Sequence, residues 1–238
     1  MTTRRWLMAI PGARNEIGTL LAVLVFAGLA LAFGLVANEM TEGETRAFDT
    51  AIIQAMRNPS NRADPIGPPA LEIAARDVTS LGGQTILMLV SAGTVGFLLL
   101  SGAPGAALLV VVAVMGGMGL VEILKQLFGR VRPDFVAQSV YELSRSFPSG
   151  HSTLSAVTYL TLGALLARVQ TRRILKMYIL GLAVLVTVMV GISRVYLGVH
   201  WPTDVLAGWC LGAAWAMVCW FVAARLQRTG QVEQTTDG

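Results

Sequence analysis

Charge is scarce in this chain: Asp, Glu, Lys and Arg make up 13% of 238 residues, where a soluble domain carries about 25%. Histidine and cysteine are scarcer still, with two of each. Cys210 and Cys219 share one apolar run, and their spacing on a helix is about 13 Å at ~1.5 Å per residue, too far for a disulfide. They read as packing residues and say nothing of redox compartment. Acidic residues form no cluster suited to a metal, so neither a metal nor another cofactor is expected. There is no internal repeat, no low-complexity tract and no Gly-Ser linker, which leaves one domain over 1–238.

What the chain has instead is long apolar runs, with mean hydropathy +0.64. A run of ~18 or more apolar residues crosses a bilayer core of roughly 30 Å. Six such runs are expected to span: Ile17–Ala37, Gly82–Leu100, Gly105–Leu124, Thr153–Ala167, Met177–Val195 and Val205–Ala224. The fourth is the shortest and reaches spanning length only if Ser149–Ser152 joins it. The fold class is therefore an all-α polytopic membrane bundle. Thr3-Arg4-Arg5-Trp6-Leu7 has a faint twin-arginine look, but Pro11, Arg14 and Glu16 interrupt the stretch beyond it, and the first run reads as an uncleaved span.

Six spans put both termini on one side. Of eighteen Lys and Arg, nine fall on each side, so the raw count does not orient the chain. The rule that positive charge stays inside counts best over short loops, and Arg168, Arg172, Arg173 and Lys176 sit in one. The expected orientation has cytoplasmic termini, with 38–81, 125–150 and 194–204 on the outer side. In the first outer segment, Thr41-Glu42-Gly43-Glu44 resembles a capping box. Phe48, Ile52, Ile53 and Met56 come next at helical spacing, which predicts a helix lying on the interface or packed over the bundle mouth. Pro65-Ile66-Gly67-Pro68-Pro69 then breaks any helix before the second span.

The chemistry-bearing residues gather on that outer side, in three clusters. These are Lys125 with Arg132-Pro133, then Pro148-Ser149-Gly150-His151, then Ser193-Arg194 with His200 and Asp204. Three cations converging on one place repel one another, and an anion of charge near −2 relieves this. Arginine forks match phosphate oxygens, and Ser149-Gly150 at a helix start offers backbone N–H groups and the positive end of a helix dipole. His200 and Asp204 are four apart, with Pro202 suited to begin the helix between them. An aspartate on one imidazole nitrogen leaves the other free to attack phosphorus. His151 is the expected acid for the leaving oxygen and base for water. Taken singly, each cluster reads equally well as a helix cap or an interfacial anchor. All three together, with no histidine elsewhere, do not. The basic pI, about 9.5, reflects residues at span ends facing headgroups rather than nucleic acid.

These motifs, Lys-x6-Arg-Pro, Pro-Ser-Gly-His and Ser-Arg-x5-His-x3-Asp, resemble the signature of the type 2 phosphatidic acid phosphatase superfamily, over 125–204. Phe48-Asp49 and Thr79-Ser80-Leu81-Gly82 resemble it more weakly. The resemblance implies a phosphohistidine on His200, His151 as acid, and phosphate held by Lys125, Arg132, Arg194, Ser149 and Gly150. It also implies six spans with both termini inside, hence an inner or plasma membrane enzyme whose site faces outward. The expected substrate is a lipid phosphate or diphosphate, with polyprenyl diphosphate first. Phosphatidylglycerol phosphate, phosphatidic acid and lipid A phosphate are alternatives, as is transfer of the phosphate to another lipid. A vanadate-dependent haloperoxidase would share the motifs but is soluble. A transporter would carry its charges nearer span centres. Gly208-x3-Gly212 is a helix-packing motif that would also suit a homodimer, and Trp201 is a candidate for the lipid entrance.

Overall fold

The computed structural model describes residues 13–134 and 145–228, so the arginine pair near the start lies outside the described residues. Eight helices and one hairpin are described: α1 (Ala13–Glu42), α2 (Arg46–Ala55), β1 (Arg57–Asn58), β2 (Asn61–Pro65), α3 (Pro69–Ser80), α4 (Gln84–Leu100), α5 (Pro104–Phe128), α6 (Gly150–Arg168), α7 (Arg173–Tyr196) and α8 (Pro202–Arg228). The all-helical expectation holds except for the antiparallel hairpin, in which Arg57 faces Pro65 and Asn58 faces Asn61. A buried Arg57 anchors it by donating from Nη2 to the Tyr196 carbonyl at the end of α7.

Among the described residues, four helices are long and apolar enough to cross a membrane: α1 from Ile17, α5, α7, and α8 to Leu226. Helices α3 and α4, bent by 44° at a short break, pass that test together as a fifth. The second span was expected to start at Gly82, with Pro65–Pro69 breaking any helix before it. In the structure α4 has only 17 residues, and it passes the length and hydropathy test only together with α3, which starts at Pro69.

The expected fourth span corresponds to α6, which is not among the apolar helices. Its composition explains why. Ser152, Thr153, Ser155, Thr158 and Thr161 are all buried, where α6 packs against α5, α7 and α8. The hydroxyls partly serve the helix itself, with Thr153 Oγ1 donating to the Ser149 carbonyl at 2.9 Å and Ser155 Oγ to that of Ser152 at 3.1 Å. A helix surrounded by helices has no need of an apolar surface. Lipid-facing residues lie elsewhere, on α1 (Leu20, Leu24, Leu31) and α7 (Ile174, Tyr178, Leu185), all exposed.

The Gly208-x3-Gly212 pair is spent inside the chain. A Cβ on Gly212 would lie 2.4 Å from the Thr153 carbonyl oxygen, and one on Gly208 2.9 Å from that of Ser149. The motif therefore seats α8 directly on the backbone of α6. This is what small-residue stripes do in membranes, where close van der Waals contact replaces hydrophobic drive.

The first outer segment departs from expectation at its start. Helix α1 runs on through Thr41 to Glu42, so the capping-box residues lie within or just past its end. Thr41 Oγ1 donates back to the Ala37 carbonyl at 2.7 Å. Gly43, at φ +86, makes the turn into α2. That helix packs on the start of α8 through buried Asp49 and Ile53, the latter among Val195, Val205, Trp201 and Trp209. Of the two expected placements, the packed one is what is seen.

Gly212→Ala should lower the detergent melting temperature of the protein, because over-packing costs about 1–3 kcal/mol. Gly181→Ala, with nothing within 4 Å of its added Cβ, is the control and should match the wild type.

Candidate functional site

Helices α5, α6, α7 and α8 alternate in direction, so the end of α5, the start of α6, the end of α7 and the start of α8 meet at one end of the bundle. The three sequence clusters arrive there together. Helix α5 closes on Gly129, whose left-handed conformation (φ 63) lets its N–H reach the Lys125 carbonyl. The chain then leaves as Arg130-Val131-Arg132. Phe147 plugs the return, fully buried, 4.9 Å edge-on from Phe128 and 6.0 Å from Phe33. Ser146, equally buried, donates from its N–H to the Arg130 carbonyl at 2.8 Å. The segment carrying Ser149 is thus held from both sides.

His200 is 1% exposed and lies between Arg132 and Asp204. Its Nδ1 is 3.3 Å from Asp204 Oδ2, and its Nε2 is 3.1 Å from Arg132 Nη1. The same Arg132 nitrogen donates to the Val199 carbonyl at 2.7 Å. Asp204 Oδ2 also accepts the Trp201 N–H at 3.0 Å, which fixes the carboxylate across the first turn of α8. Pro202 begins that helix as the sequence suggested.

The other predicted residues join the cluster. A Cβ on Gly150 would lie 3.9 Å from Lys125 Nζ, so the lysine ends at the start of α6. Lys125, Arg132 and Arg194 act electrostatically on His200 and on His151 alike. Arg194 is buried and donates from Nη1 to Thr79 Oγ1 at 3.1 Å. The α3–α4 turn closes over His151 as well: a Cβ on Gly82 would stand 3.2 Å from its carbonyl oxygen.

Ser149 is placed differently from the expectation that its amide faces an anion. Its N–H donates to the Asp204 carbonyl at 3.0 Å, and its Oγ accepts from Ser152 Oγ at 3.0 Å and from Ser152 N–H at 3.4 Å, capping α6. First-turn amides of a helix have no acceptor within it, so Gly150 and His151 offer theirs at this end. Among the described residues no group of three or more His, Cys, Asp or Glu could hold a metal.

Sequence reasoning missed Arg130 and Thr203, and gave Asp49 only a weak resemblance. Arg130 donates from Nη1 to Asp204 Oδ1 at 2.6 Å and from Nη2 to Asp49 Oδ2 at 2.6 Å. Thr203 donates its N–H (3.0 Å) and hydroxyl (2.7 Å) to Asp49. Asp49 did leave a signal. It lies four residues before Ile53, on the stripe of α2 that was expected to be apolar.

Helices apolar enough to span, with a cation-lined, two-histidine cluster at one end of their bundle, define an integral membrane protein. The PAP2 superfamily model matches residues 106–228, and the chain belongs to that superfamily. Phosphatidylglycerophosphatase B of Bacillus subtilis is 47% identical over 94 residues, 38% of this chain and 45% of that protein. Undecaprenyl-diphosphatase of Sulfolobus acidocaldarius is 35% identical over 118 residues (48% and 51%), and lipid A 1-phosphatase of Rhizobium johnstonii 31% over 115 (44% and 43%). The matched stretches span about half the length of these curated relatives. The crystal structure of a transmembrane PAP2 type phosphatidylglycerolphosphate phosphatase from Bacillus subtilis aligns with a TM-score of 0.75 at 30% identity. That alignment covers 85% of this chain and 98% of the other.

Burial, and then the charges of Arg132, Arg194 and Lys125, hold the His200 imidazole well below the ordinary histidine value of 6.5, against an opposing hydrogen bond to the Ser146 backbone. The unfolded chain takes up that proton as pH falls through ~6.5. His200 therefore adds no penalty above that pH, and it subtracts stability as pH drops below it toward the folded value. With His151→Ala, His200 is the sole imidazole in the chain. Its 15N signals in tag-free protein should stay those of the neutral ring from pH 8 down to about 5.5. A midpoint near 6.5 would contradict this.

Proposed function

We propose that this chain is a membrane lipid phosphatase working through a phosphohistidine on His200. The observation that carries the reading is the two-sided setting of that ring, with Nδ1 toward Asp204 and Nε2 toward Arg132. With Nδ1–H donated to the carboxylate, Nε2 holds its lone pair on the side where a phosphate would sit on Arg132. Arg132, Arg194, Lys125 and the Gly150 and His151 amides hold the three non-bridging oxygens, and Ser149 holds the helix start that presents those amides. A bound dianion cancels the mutual repulsion of the cations, which makes phosphate the preferred guest.

Nε2 forms a bond to phosphorus as the bond from phosphorus to the lipid oxygen breaks. That oxygen takes its proton from His151. Water then attacks the phosphohistidine, giving a proton to His151, and the N–P bond breaks to release phosphate and neutral His200. Charge that develops on the equatorial oxygens meets fixed cations, so the chemistry asks for no metal or cofactor.

The substrate is a lipid with a terminal phosphate. Phosphatidylglycerol phosphate is the first reading, favoured by the 47% identity and by the structural alignment covering 98% of the other chain, both with proteins named for that lipid. Polyprenyl diphosphate is the second, favoured by the 35% identical relative named for it. In this reading α6 is a sixth crossing shielded by its neighbours, the termini are cytoplasmic and the site opens on the outer leaflet.

Purified protein in detergent with EDTA should release phosphate from one of these lipids and be inhibited by vanadate, while His200→Ala should retain less than about a thousandth of the rate. Activity lost in EDTA and restored by magnesium, or kept by His200→Ala, would overturn the mechanism. Phosphate appearing on a second lipid rather than in water would make the enzyme a phosphotransferase.

Sidedness is tested on a background with Cys210 and Cys219 replaced. Ser60→Cys, in the exposed hairpin turn, should react with an impermeant thiol reagent in intact cells. Thr171→Cys, in the exposed turn between α6 and α7, should react only after the membrane is opened. The reverse pattern would put the site on the cytoplasmic face.

A further inference from the structure

Two buried carboxylates and one partly buried guanidinium lie behind His200. Asp49 and Asp204 are both 0% exposed, and Arg130 bridges them with one guanidinium nitrogen on each, at 2.6 Å in both cases. The bridge spans three distant parts of the chain: α2, the irregular segment leaving α5, and the start of α8. Its ends are fixed independently. Thr203 ties Asp49 to the first turn of α8 by two hydrogen bonds, and Arg130 Nη1 also reaches Thr203 Oγ1 at 2.8 Å. Thr45 Oγ1 accepts from Arg130 Nη2 at 3.2 Å, and the guanidinium lies 5.5 Å from the Trp201 ring centroid.

We infer that Asp49 and Arg130 form a positioning relay, in which α2 sets the orientation and charge of Asp204 and through it the reactivity of His200. The inference rests on the reading of His200 as nucleophile. Neither residue approaches the phosphate side of the imidazole. Arg130 takes the Asp204 oxygen that His200 does not use, so the carboxylate has one rotation in which both partners are served. Its charge also tempers the negative potential that Asp204 presents to the ring, and Asp49 tempers Arg130 in turn.

The other groups acting on His200 are cations of the phosphate side: Arg132 in the segment leaving α5, Lys125 on α5 and Arg194 on α7. His151 on α6 faces it as the second imidazole. Negative charge reaches the ring through Asp204, with the relay behind it, and the alternation of charge gives the relay a signature. Removing Arg130's charge exposes the ring to an untempered Asp204 and moves the acid limb of kcat upward in pH. Removing Asp49's charge strengthens Arg130 and moves that limb downward.

The wild type and His200→Ala are assayed first, because turnover by one and not the other is what the underlying reading requires, and its failure would appear there. Arg130→Gln, Arg130→Lys, Asp49→Asn and the double variant Asp49→Asn/Arg130→Gln are then compared for kcat, KM, pH profile and vanadate inhibition, with melting temperature recorded. Asp49→Asn and Arg130→Gln should lower kcat on the order of 10²-fold, as misplacement of a reacting group does, with KM and vanadate inhibition within about twofold of wild type. Their acid limbs should move in opposite directions. The double variant should be no slower than Arg130→Gln alone, and Arg130→Lys should recover part of the rate. Should Arg130→Gln fail to fold, the near-isosteric Asp49→Asn and charge-keeping Arg130→Lys still decide. Unchanged kcat, acid limbs moving together, or loss of vanadate inhibition in step with kcat would each overturn the relay.

Discussion

Everything at the functional end of this protein converges on one residue at the first turn of α8. The Asp204 side chain meets the His200 ring, the Trp201 amide and the Arg130 guanidinium, and its main-chain carbonyl accepts the Ser149 amide. The residue therefore joins the loop before α8, the irregular segment after α5 and the start of α6. Such a carboxylate, fully buried, is tolerable only while its partners stay. Removing one member of a buried charge pair costs roughly 3–5 kcal/mol, because the other remains uncompensated. The geometry of the site is thus bound to the integrity of the fold.

The reverse constraint acts on the opposite side of the imidazole. Arg132, Arg194 and Lys125 all act on that side, and each lowers the affinity of the ring for a proton. Like charges brought together in a low-dielectric surrounding repel one another more strongly than in water. Close small-residue contact of α8 on α6 holds the starts of these helices together, where the Ser149 amide meets the Asp204 carbonyl. Packing in the spans and the geometry of the site are two aspects of one arrangement.

Much of this was legible in the sequence. The three motif clusters sit at helix ends, and two helices, α6 and α7, lie between the second cluster and the third, so their meeting came from connectivity. Pro202 and His200-x3-Asp204 carried their local geometry with them. Other features had no such signature. Arg130 looks like any interfacial arginine until the left-handed Gly129 turns the chain beneath it. Ser149 belongs to a motif associated with phosphate, yet its amide is taken by Asp204, a partner 55 residues away. Thr41-Glu42-Gly43-Glu44 fits a capping box, but helix α1 simply continues through it. The proline-rich stretch was read as ending helical structure before the second span, whereas Pro69 starts α3, where proline's missing N–H costs nothing. Local pattern reports local preference, and the partners of Arg130 and Ser149 were decided by contacts remote in the chain.

The hydroxyl-rich composition of α6 reaches beyond the finished structure to how the protein enters the membrane. Insertion favours segments by their apolar side chains, and a helix carrying Ser152, Thr153, Ser155, Thr158 and Thr161 gains little from lipid alone. The turn from Val169 to Arg172 is short, and α7 beyond it is strongly apolar. Helix α7, packed along α6 beyond that turn, supplies the apolar length that α6 lacks. The helix that bears His151 depends for its surroundings on α5, α7 and α8, which together cover its hydroxyls.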